Sequence, residues 1–298
     1  MNTSASTPAL PERRDFRCLD PLRVRWAEVD LQQIVFNGHY LMYFDTAVAA
    51  YWRRLTMPYH EAMQELGGDL FVRKATLEYE ASARYDDQLH IGMRLVRLGT
   101  SSMTLQACAF KGVRRLVHGE IVYVFADPAT QTSRPIPVLL REWMQAYERG
   151  EPMVTVEEGA WATLGPEAAP LRTAVFEGEQ GVSRALEQDG LDARAHHVVA
   201  RNRLGQAVGT GRLLPIDARR GKIGRMAVMP TVRGAAVGQA MLQTLCERAC
   251  ALGLQEVVLH AQAPVLDFYR RSGFEVASEP FEEAGIEHRL MRRHLAAG

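Results

Sequence analysis

The chain has 298 residues, of which 47% are hydrophobic, and its 35 basic residues balance its 35 acidic ones. That length is enough for two domains of ordinary size, each with its own core. A net charge of zero argues against a general affinity for nucleic acid or for anionic membranes. The start lacks the charged and apolar regions of a signal peptide, and no run of about 18 apolar residues could span a bilayer. We therefore expect a cytoplasmic protein without membrane insertion.

Cysteine usage fits the same compartment, because none of the four cysteines belongs to a CxxC pair. Cys246 and Cys250 are four residues apart and would share one face of a helix. That spacing allows a metal or redox pair, or two small packed side chains. We favour packing, since a free cysteine usually behaves as a small buried apolar residue, and we predict no metal site.

The first half of the chain has the element order of an α+β domain. We place it at residues 20–148, after a disordered start at 1–19. A predicted strand at Leu22–Trp26 leads into a long helix over 38–57, whose apolar residues recur every three or four positions. Alternating and β-branched apolar segments between 70 and 126 predict an antiparallel sheet. One long helix followed by such a sheet indicates an α+β fold.

A short linker at residues 149–152 precedes a second domain at 153–298, in which predicted strands and helices alternate. Its clearest unit is a strand at Lys222–Val228 that passes through Pro230 into a helix over 236–252. This alternation is typical of an α/β domain. The two halves show no similarity to each other, which indicates a fusion of two different domains.

The segment between the first strand and the long helix carries a candidate catalytic group. Asp30 lies in the predicted loop, and Asn37 occupies an N-cap position at the helix start. Amides in the first turn of a helix have no partner inside it, so they can polarise a carbonyl oxygen. A nearby carboxylate can attack that carbonyl or activate a water, and thioester hydrolysis needs these two parts. Taken alone, Asp30 could equally serve only to accept hydrogen bonds from loop amides.

This loop resembles the 4-hydroxybenzoyl-CoA thioesterase branch of the hot-dog proteins, in which Asp, three residues and Ile-Val precede an aromatic-rich helix start. Ala83–Asp87 matches a turn of the same family, and the resemblance covers residues 20–147. It implies a long helix wrapped by an antiparallel sheet, with Asp30 as the catalytic carboxylate. It also implies that the helix start at Asn37 and Gly38 polarises the thioester, and that the domain forms a homo-oligomer.

Three neighbouring residues bear on this interpretation. Gln33 stands where the family usually has glycine, which affects the pocket or the loop. His39 either orients the substrate or is an exposed helix histidine. Glu28 offers a second carboxylate, but strand alternation favours the opposite face from Asp30.

The second domain contains a strand, a turn of small residues and an amphipathic helix, over residues 225–239. Small residues let phosphate oxygens approach the backbone, and a helix start supplies donors and positive potential. The motif is not a P-loop, because no Gly-Lys-Ser/Thr follows, and it lacks the spacing of the dinucleotide fingerprint. It predicts a phosphate-binding turn of another kind.

This turn resembles motif A of the GNAT acetyltransferases, Gln/Arg-x-x-Gly-x-Gly/Ala, with Ala236 in place of the first glycine. Segments 175–181, 208–215, 268–274 and 281–288 resemble the ElaA-like branch, so the resemblance covers residues 153–294. It implies an α/β acetyltransferase that binds the pyrophosphate of acetyl-CoA. The residues implied in binding are Ala227, Val228, Arg233, Gly234, Ala235, Ala236, Val237, Gly238 and Gln239.

The same resemblance assigns catalytic roles in the second domain. Tyr269 matches the tyrosine that protonates the leaving CoA thiolate, although it could instead be a packed core aromatic. Backbone N–H groups at Ala227–Val228 would support the developing oxyanion. The general base is not identified by the sequence, with His260 and His288 as candidates. Glu179–Gln180 is a candidate for the acceptor side.

Together, these features predict a bifunctional enzyme that hydrolyses acyl-CoA thioesters and transfers an acetyl group from acetyl-CoA to an unknown amine. Acyl-CoA and acetyl-CoA are then substrates, and no permanently bound cofactor is expected. The changes at Gln33 and Ala236 motivate an alternative, in which one domain is a non-catalytic acyl-CoA-binding or oligomerisation module. An acyl-CoA-sensing regulator is disfavoured, because no helix-turn-helix or basic surface is evident.

Overall fold

The structure is a computed structural model that describes residues 10–295. Contacts divide the chain into two compact units, Met1–Pro152 and Met153–Gly298. The last helix of the first unit ends at Gly150, which adopts the left-handed conformation with φ 80°. Glycine has no Cβ to clash in that conformation, so it ends helices at little cost.

The described part of the first unit has five strands and three α-helices. In chain order they are β1 (Cys18–Arg23), α1 (Asn37–Arg54), α2 (Tyr59–Leu66), β2 (Asp69–Tyr79), β3 (Gln88–Leu98), β4 (Ser102–Lys111), β5 (Arg114–Ala126) and α3 (Val138–Arg149). All strands pair antiparallel in the order β1-β3-β4-β5-β2. Helix α1 packs against this sheet.

Helix α1 supplies much of the first core through side chains three or four residues apart. Tyr40, Phe44 and Tyr51 are buried, and the Nε1–H of Trp143 in α3 donates to the carbonyl oxygen of Leu55 at 2.8 Å. Burying each such large side chain contributes roughly 1.5–3 kcal/mol. The helix ends three residues before the predicted end at 57, because Thr56 takes a φ of 56°.

The start of the first unit differs from the predicted disorder over 1–19. Arg13–Asp15 forms a helical turn, and Phe16 is buried edge-on against Phe110 at a ring distance of 5.6 Å. Strand β1 begins at Cys18, four residues before the predicted strand. The burial of Phe16 and Cys18 orders this segment, so the prediction was wrong for residues 13–19. Residues 1–9 lie outside the described part.

The described part of the second unit has eight strands and four α-helices. In chain order they are β6 (Thr155–Gly159), α4 (Trp161–Arg172), α5 (Arg184–Glu187), β7 (His196–Arg201), β8 (Ala207–Pro215), β9 (Arg220–Val228), α6 (Val237–Ala251), β10 (Glu256–Gln262), α7 (Leu266–Arg271), β11 (Glu275–Val276), β12 (Phe281–Glu283) and β13 (Ile286–His294). A π-helical segment, Thr173–Glu179, continues α4.

The second sheet has the order β11-β13-β10-β9-β8-β7-β6, with β12 paired to β13. Among the strands of residues 153–295, only β9 and β10 run parallel to each other. Helix α6 packs on one face through a core that includes Val257, Leu259 and Met241. Helix α4 covers strands β7 and β8 on the other face through Leu164 and Ala168. The sheet is therefore enclosed between two helical layers.

Candidate active sites

Asp30 lies in a short closed loop before α1. An isolated bridge joins Val29 to Val35, and the Asp30 N–H donates to the carbonyl oxygen of Ile34 at 2.9 Å. Its carboxylate Oδ1 accepts the Gln32 N–H at 2.8 Å. Oδ2 has no hydrogen-bond partner among residues 10–295. One carboxylate oxygen thus holds the turn while the other remains available to a substrate.

The helix start next to this loop differs by one residue from the prediction. Phe36, with φ −58° and ψ 134°, is the N-cap, and Asn37 is the first helical residue, so the N-cap assignment of Asn37 was wrong. The Phe36 N–H donates to the carbonyl oxygen of Glu28 at 3.0 Å, which keeps the chain extended up to Phe36. Asn37 and Gly38 are exposed, and their amides begin the first turn without partners inside α1.

Glu28 and His39 flank the loop on its inner side. Glu28 is buried, and its Oε2 accepts hydrogen bonds from the Tyr43 hydroxyl and the Arg25 N–H, both at 2.7 Å. These bonds occupy the carboxylate and join the loop to the second turn of α1. The His39 ring stacks on Tyr43 at 6.5 Å. Glu28 thereby fixes the position of the loop that carries Asp30.

In the second unit, the candidate site lies where two parallel strands separate. β9 and β10 pair only from Arg220–Glu256 to Lys222–Val258, and their pairing stops there within the described range. The β8–β9 register shifts between Thr210 and Arg212, and Arg225 has a φ of 53°. Such a bulge bends a strand away from its ladder. A gap therefore opens beside residues 223–228 of β9.

The Val228 backbone faces that gap. The Met229 N–H donates to the carbonyl oxygen of Val208 in β8 at 2.9 Å. Because successive amides of a strand point in opposite directions, the Val228 N–H points away from β8 and the Ala227 N–H towards it. Of the two predicted oxyanion donors, the structure therefore leaves only Val228 open to the gap.

The predicted phosphate-binding turn follows directly. Val237, Gly238 and Gln239 form the first turn of α6, so their amides have no partners inside the helix. Ala236 precedes them in the left-handed conformation, with φ 63° and ψ 10°, not in the helical conformation expected from the sequence. A non-glycine residue pays about 1–2 kcal/mol there. The turn before α6 therefore carries a cost in conformational free energy at Ala236.

Arg233 is less available to bind phosphate than its place in the motif suggests. Its Nη1 and Nη2 donate to the two carboxylate oxygens of Glu179 at 2.7 and 2.6 Å, and its Nε donates to the Val228 carbonyl oxygen at 3.1 Å. The hydrogen bond from Arg233 lowers the pKa of Glu179. The guanidinium therefore anchors the π-helical segment to the end of β9. Gln180 accepts a hydrogen bond from Gln262 of β10 at 3.1 Å.

Tyr269 is buried in α7 beside the start of α6. Its ring makes edge contacts with Phe268 and Phe274 at 4.9 and 5.8 Å. A Cβ added at Gly238 would lie 3.4 Å from the Phe268 ring, which shows how closely α7 borders the α6 start. Burial raises the pKa of Tyr269 to about 12. Its hydroxyl is therefore protonated at neutral pH, as a proton donor must be.

A network of buried charges covers the sheet face opposite α6. Arg172 of α4 is 2% exposed and pairs with Glu187 of α5 and with Asp192, the latter at 2.9 Å. Arg212 of β8 pairs with Asp192 at 2.9 Å and with Asp189 at 2.6 Å. The hydrogen bond from Arg212 lowers the pKa of Asp189. This network, which the sequence did not predict, holds α4 and α5 over the sheet.

The two predicted base candidates lie near each other on this side of the sheet. His260 of β10 places its Nδ1 2.5 Å from Glu283 Oε2 in β12. The ring of His288 stacks on Phe281 at 6.1 Å, and its Nδ1 bonds the Ile286 carbonyl oxygen at 2.8 Å. Sequence reasoning missed Glu283, because it is 23 residues from His260 and meets it only through strand pairing.

Neither a metal cluster nor a membrane-spanning helix is found in the part of the chain that the structure describes. Within residues 10–295, no three His, Cys, Asp or Glu side chains are grouped as metal ligands would be. No helix in that range combines the length and apolar character needed to cross a bilayer.

Comparison with protein families gives one match in each unit. A model described as an acetyltransferase (GNAT) domain matches residues 159–295, and one described as the thioesterase superfamily matches residues 32–118. The matches confirm the predicted folds and their order, a hot-dog domain followed by a GNAT domain. Asp30 lies two residues before the start of the thioesterase match.

Individual relatives agree with this division. The uncharacterized protein YyaT of Bacillus subtilis (strain 168) is 32% identical over 133 residues, 44% of this chain and 88% of YyaT. The acyl-CoA thioester hydrolase YbgC of Escherichia coli O6:H1 is 29% identical over 121 residues, 39% of this chain and 87% of YbgC. The solved structure of Escherichia coli ElaA is 29% identical and covers 47% of this chain and 99% of ElaA, with a TM-score of 0.44.

Fold and site together define a two-domain protein built from families that use CoA thioesters. The chain belongs to the GNAT acetyltransferase family through its second unit, and residues 32–118 of its first unit match the thioesterase superfamily.

Proposed function

We propose that the chain is a bifunctional acyl-CoA enzyme, which hydrolyses acyl-CoA thioesters in its first unit and acetylates an amine in its second. One observation supports both halves: each unit places an open helix start beside a reactive position. That position is the free Oδ2 of Asp30 in the first unit and the unpaired edge of β9 in the second. The four free cysteines fit a cytoplasmic location for such an enzyme.

In the first unit, the amides of Asn37 and Gly38 polarise the thioester carbonyl at the positive end of α1. Asp30 then attacks the carbonyl carbon or takes a proton from an attacking water. The C–S bond breaks and the sulfur takes up a proton. After direct attack, water hydrolyses the acyl anhydride on Asp30, so the products on either route are a carboxylic acid and free CoA thiol. YbgC, which is named as an acyl-CoA thioester hydrolase, supports this assignment by similarity.

In the second unit, the first turn of α6 holds the pyrophosphate of acetyl-CoA, with donors from Val237, Gly238 and Gln239. The thioester then lies along the open edge of β9, where the Val228 N–H supports the oxyanion. Tyr269 donates a proton to the leaving CoA sulfur. The acceptor amine becomes an acetamide.

The hydrolase proposal is tested by free-thiol release from a panel of acyl- and aryl-CoA thioesters, without amine. We expect Asp30→Asn to lower kcat about 10²–10⁴-fold, as loss of a general base or nucleophile does. Asp127→Asn is the matched control, because Asp127 Oδ1 accepts the Ala129 N–H two residues on, in the same type of turn. Full activity in Asp30→Asn would contradict the role of Asp30, and no hydrolysis by a folded wild type would leave the first unit as a binding or oligomerisation module.

The transferase proposal is tested first by calorimetric titration of the full chain with acetyl-CoA. Gln239→Glu is isosteric, exposed and compatible with a helix start, but it places a negative charge where the pyrophosphate would bind. We expect binding to weaken about tenfold or more, since one such repulsion costs on the order of 1–2 kcal/mol. Gln243→Glu, one turn later on α6, should bind like the wild type. Equal binding by all three proteins would contradict the assigned site.

The first unit is also proposed to form a homodimer through β2. This edge strand has eleven residues and no proline, and its Val72 and Tyr79 are more than half exposed. The other edge, β1, has six residues including Pro21, a common protection against edge pairing. The Tyr79 hydroxyl bonds the Asn37 carbonyl oxygen at 3.1 Å, so a partner on β2 would lie near the site. Light scattering should show a dimer that Val72→Lys dissociates, and a monomeric wild type would refute it.

A further inference from the structure

A compact group of side chains stands beside the gap in the second sheet. His260 Nδ1 is 2.5 Å from Glu283 Oε2 and 3.3 Å from Lys222 Nζ, and its ring meets Phe281 edge-on at 5.0 Å. Three strands, β9, β10 and β12, contribute to it. It is therefore built by the fold of the sheet, not by one flexible loop.

The position of this group follows from strand alternation. Val257, Leu259 and Ala261 of β10 point into the core under α6, so His260 projects from the opposite face. Lys222 and Val258 form the last pair before the strands separate, and His260 is two residues beyond. The imidazole thus lies at the mouth of the gap, on the face away from the start of α6.

The hydrogen bonding of the ring defines which nitrogen can react. Burial raises the pKa of Glu283, but the hydrogen bond from His260 and the nearby positive charges leave it below its ordinary value. Glu283 is therefore a carboxylate that accepts a hydrogen bond from Nδ1–H at 2.5 Å, the shorter of the two contacts of Nδ1. Nε2 then carries the lone pair, and no residue in the described part of the chain bonds it. The side chain is 30% exposed, so an acceptor can reach it.

We propose that His260 is the general base that deprotonates the acceptor amine, and that Glu283 is the residue that positions its ring. This rests on the proposed transferase function. His260 Nε2 takes one proton from the acceptor ammonium, and the neutral nitrogen attacks the acetyl carbonyl carbon. The N–C bond forms, the C–S bond breaks, Tyr269 protonates the CoA sulfur, and the second proton of the nitrogen restores the Tyr269 hydroxyl. His260 returns its proton to solvent.

The groups facing His260 limit the acceptor to one with an unhindered primary amine. Glu283 on β12, Lys222 on β9 and His288 on β13 surround the ring, and Phe281 closes one side. The Glu283 carboxylate attracts an acceptor ammonium by Coulombic interaction, whereas the charge of Lys222 opposes it. The aromatic wall favours an aliphatic or aromatic stem behind that amine.

The test is amine-dependent CoA release from acetyl-CoA, in the Asp30→Asn background to remove hydrolysis, with a panel of aliphatic and arylalkyl primary amines. We expect His260→Gln to lower kcat about 10²–10⁴-fold with unchanged acetyl-CoA binding. Glu283→Gln should lower kcat less, because the amide oxygen still accepts a hydrogen bond from the ring but carries no negative charge. His294→Gln is the matched control, since this exposed histidine faces Glu256 at 3.6 Å at the far end of β10.

A second readout needs no acceptor. Nitrogen-15 NMR of the His260 ring should show protonation at Nδ1, and Glu283→Gln should increase the Nε2-protonated form. Wild-type kcat in His260→Gln, or a wild-type ring protonated at Nε2, would overturn the assignment. If acetyl-CoA binds but no amine in the panel is acetylated, the ring nitrogen that NMR shows to be protonated decides whether the assignment of His260 stands. Failure to bind acetyl-CoA would instead count against the transferase function itself.

Discussion

The two candidate sites both place a left-handed, non-glycine residue before a helix, but they are assembled over very different distances. Gln33 (φ 61°) closes the turn that holds Asp30, since its N–H donates to the Asp30 carbonyl oxygen at 2.9 Å. Ala236 (φ 63°) directly precedes α6. The loop of the first site lies within residues 28–38, and Tyr43 and Ala83 also bond it. The second site also needs α4, the π-helical segment, β10 and the β12–β13 hairpin.

This difference separates local from tertiary determinants of a site. A turn, a bridge and a helix start that are close in sequence form most of the first site, with further bonds to Tyr43, Tyr79 and Ala83. The second site requires the charge network of Arg172, Arg212 and Asp192 to hold its layers in place. Substitutions in the network should therefore damage the second site and spare the first.

The largest expected effect comes from Arg172→Leu, which leaves Glu187 without its closest cationic partner and Asp192 with Arg212 alone. Breaking a buried pair on one side costs about 3–5 kcal/mol. We expect that loss in the unfolding free energy of the second unit, measured with denaturant, while thiol release by the first unit persists. Arg270→Leu, which removes an exposed pair with Asp267, should change little. An equal loss of unfolding free energy in both units would contradict the proposed difference between the two sites.

The two left-handed residues, Gln33 and Ala236, allow a test in which the expected change in unfolding free energy is smaller. Replacing Gln33 or Ala236 by glycine removes a strain of about 1–2 kcal/mol and adds an entropy cost of roughly 0.5–1 kcal/mol. We expect each variant to gain about 0.5–1 kcal/mol of unfolding free energy in its own unit. Ala240→Gly, inside α6, should lose about 1 kcal/mol. A loss of stability in Ala236→Gly would show that its side chain makes a contact worth more than the strain.

The smallest expected effect is the loss of unfolding free energy at acid pH. Burial raises the pKa of Asp192, whereas hydrogen bonds from Arg172 and Arg212 leave it lowered overall, and the pKa of Asp189 is also lowered. A lowered folded-state pKa stabilises the fold above the ordinary carboxyl range, and this stability is lost as pH falls. At pH 4 each carboxylate loses at most about 0.3 kcal/mol by linkage. The difference in unfolding free energy between wild type and Asp189→Asn should therefore shrink from pH 6 to pH 3. A difference that grows over this range would contradict the lowered pKa of Asp189.

Sequence reasoning reached the parts of the sites that lie within single motifs. The loop position of Asp30 and the strand–turn–helix unit ending in α6 both follow from local patterns. The N-cap was misplaced by one residue because the bond from Phe36 to Glu28 extends the chain. The pairing of Arg233 with Glu179, 54 residues away, had no sequence signal. Asp30, Tyr269 and the α6 start remain predictions of function.

The separation of β9 from β10 leaves part of β9 unpaired on that side within the described residues. If the pantetheine arm of acetyl-CoA fills the gap, it acts as a missing strand and bonds amides such as that of Val228. Hydrogen exchange at those amides would then slow on binding, and the melting temperature would follow the acetyl-CoA concentration. At a hundredfold excess over Kd the gain is about 2.7 kcal/mol. The abundance of folded enzyme would then report the cell's supply of acetyl-CoA.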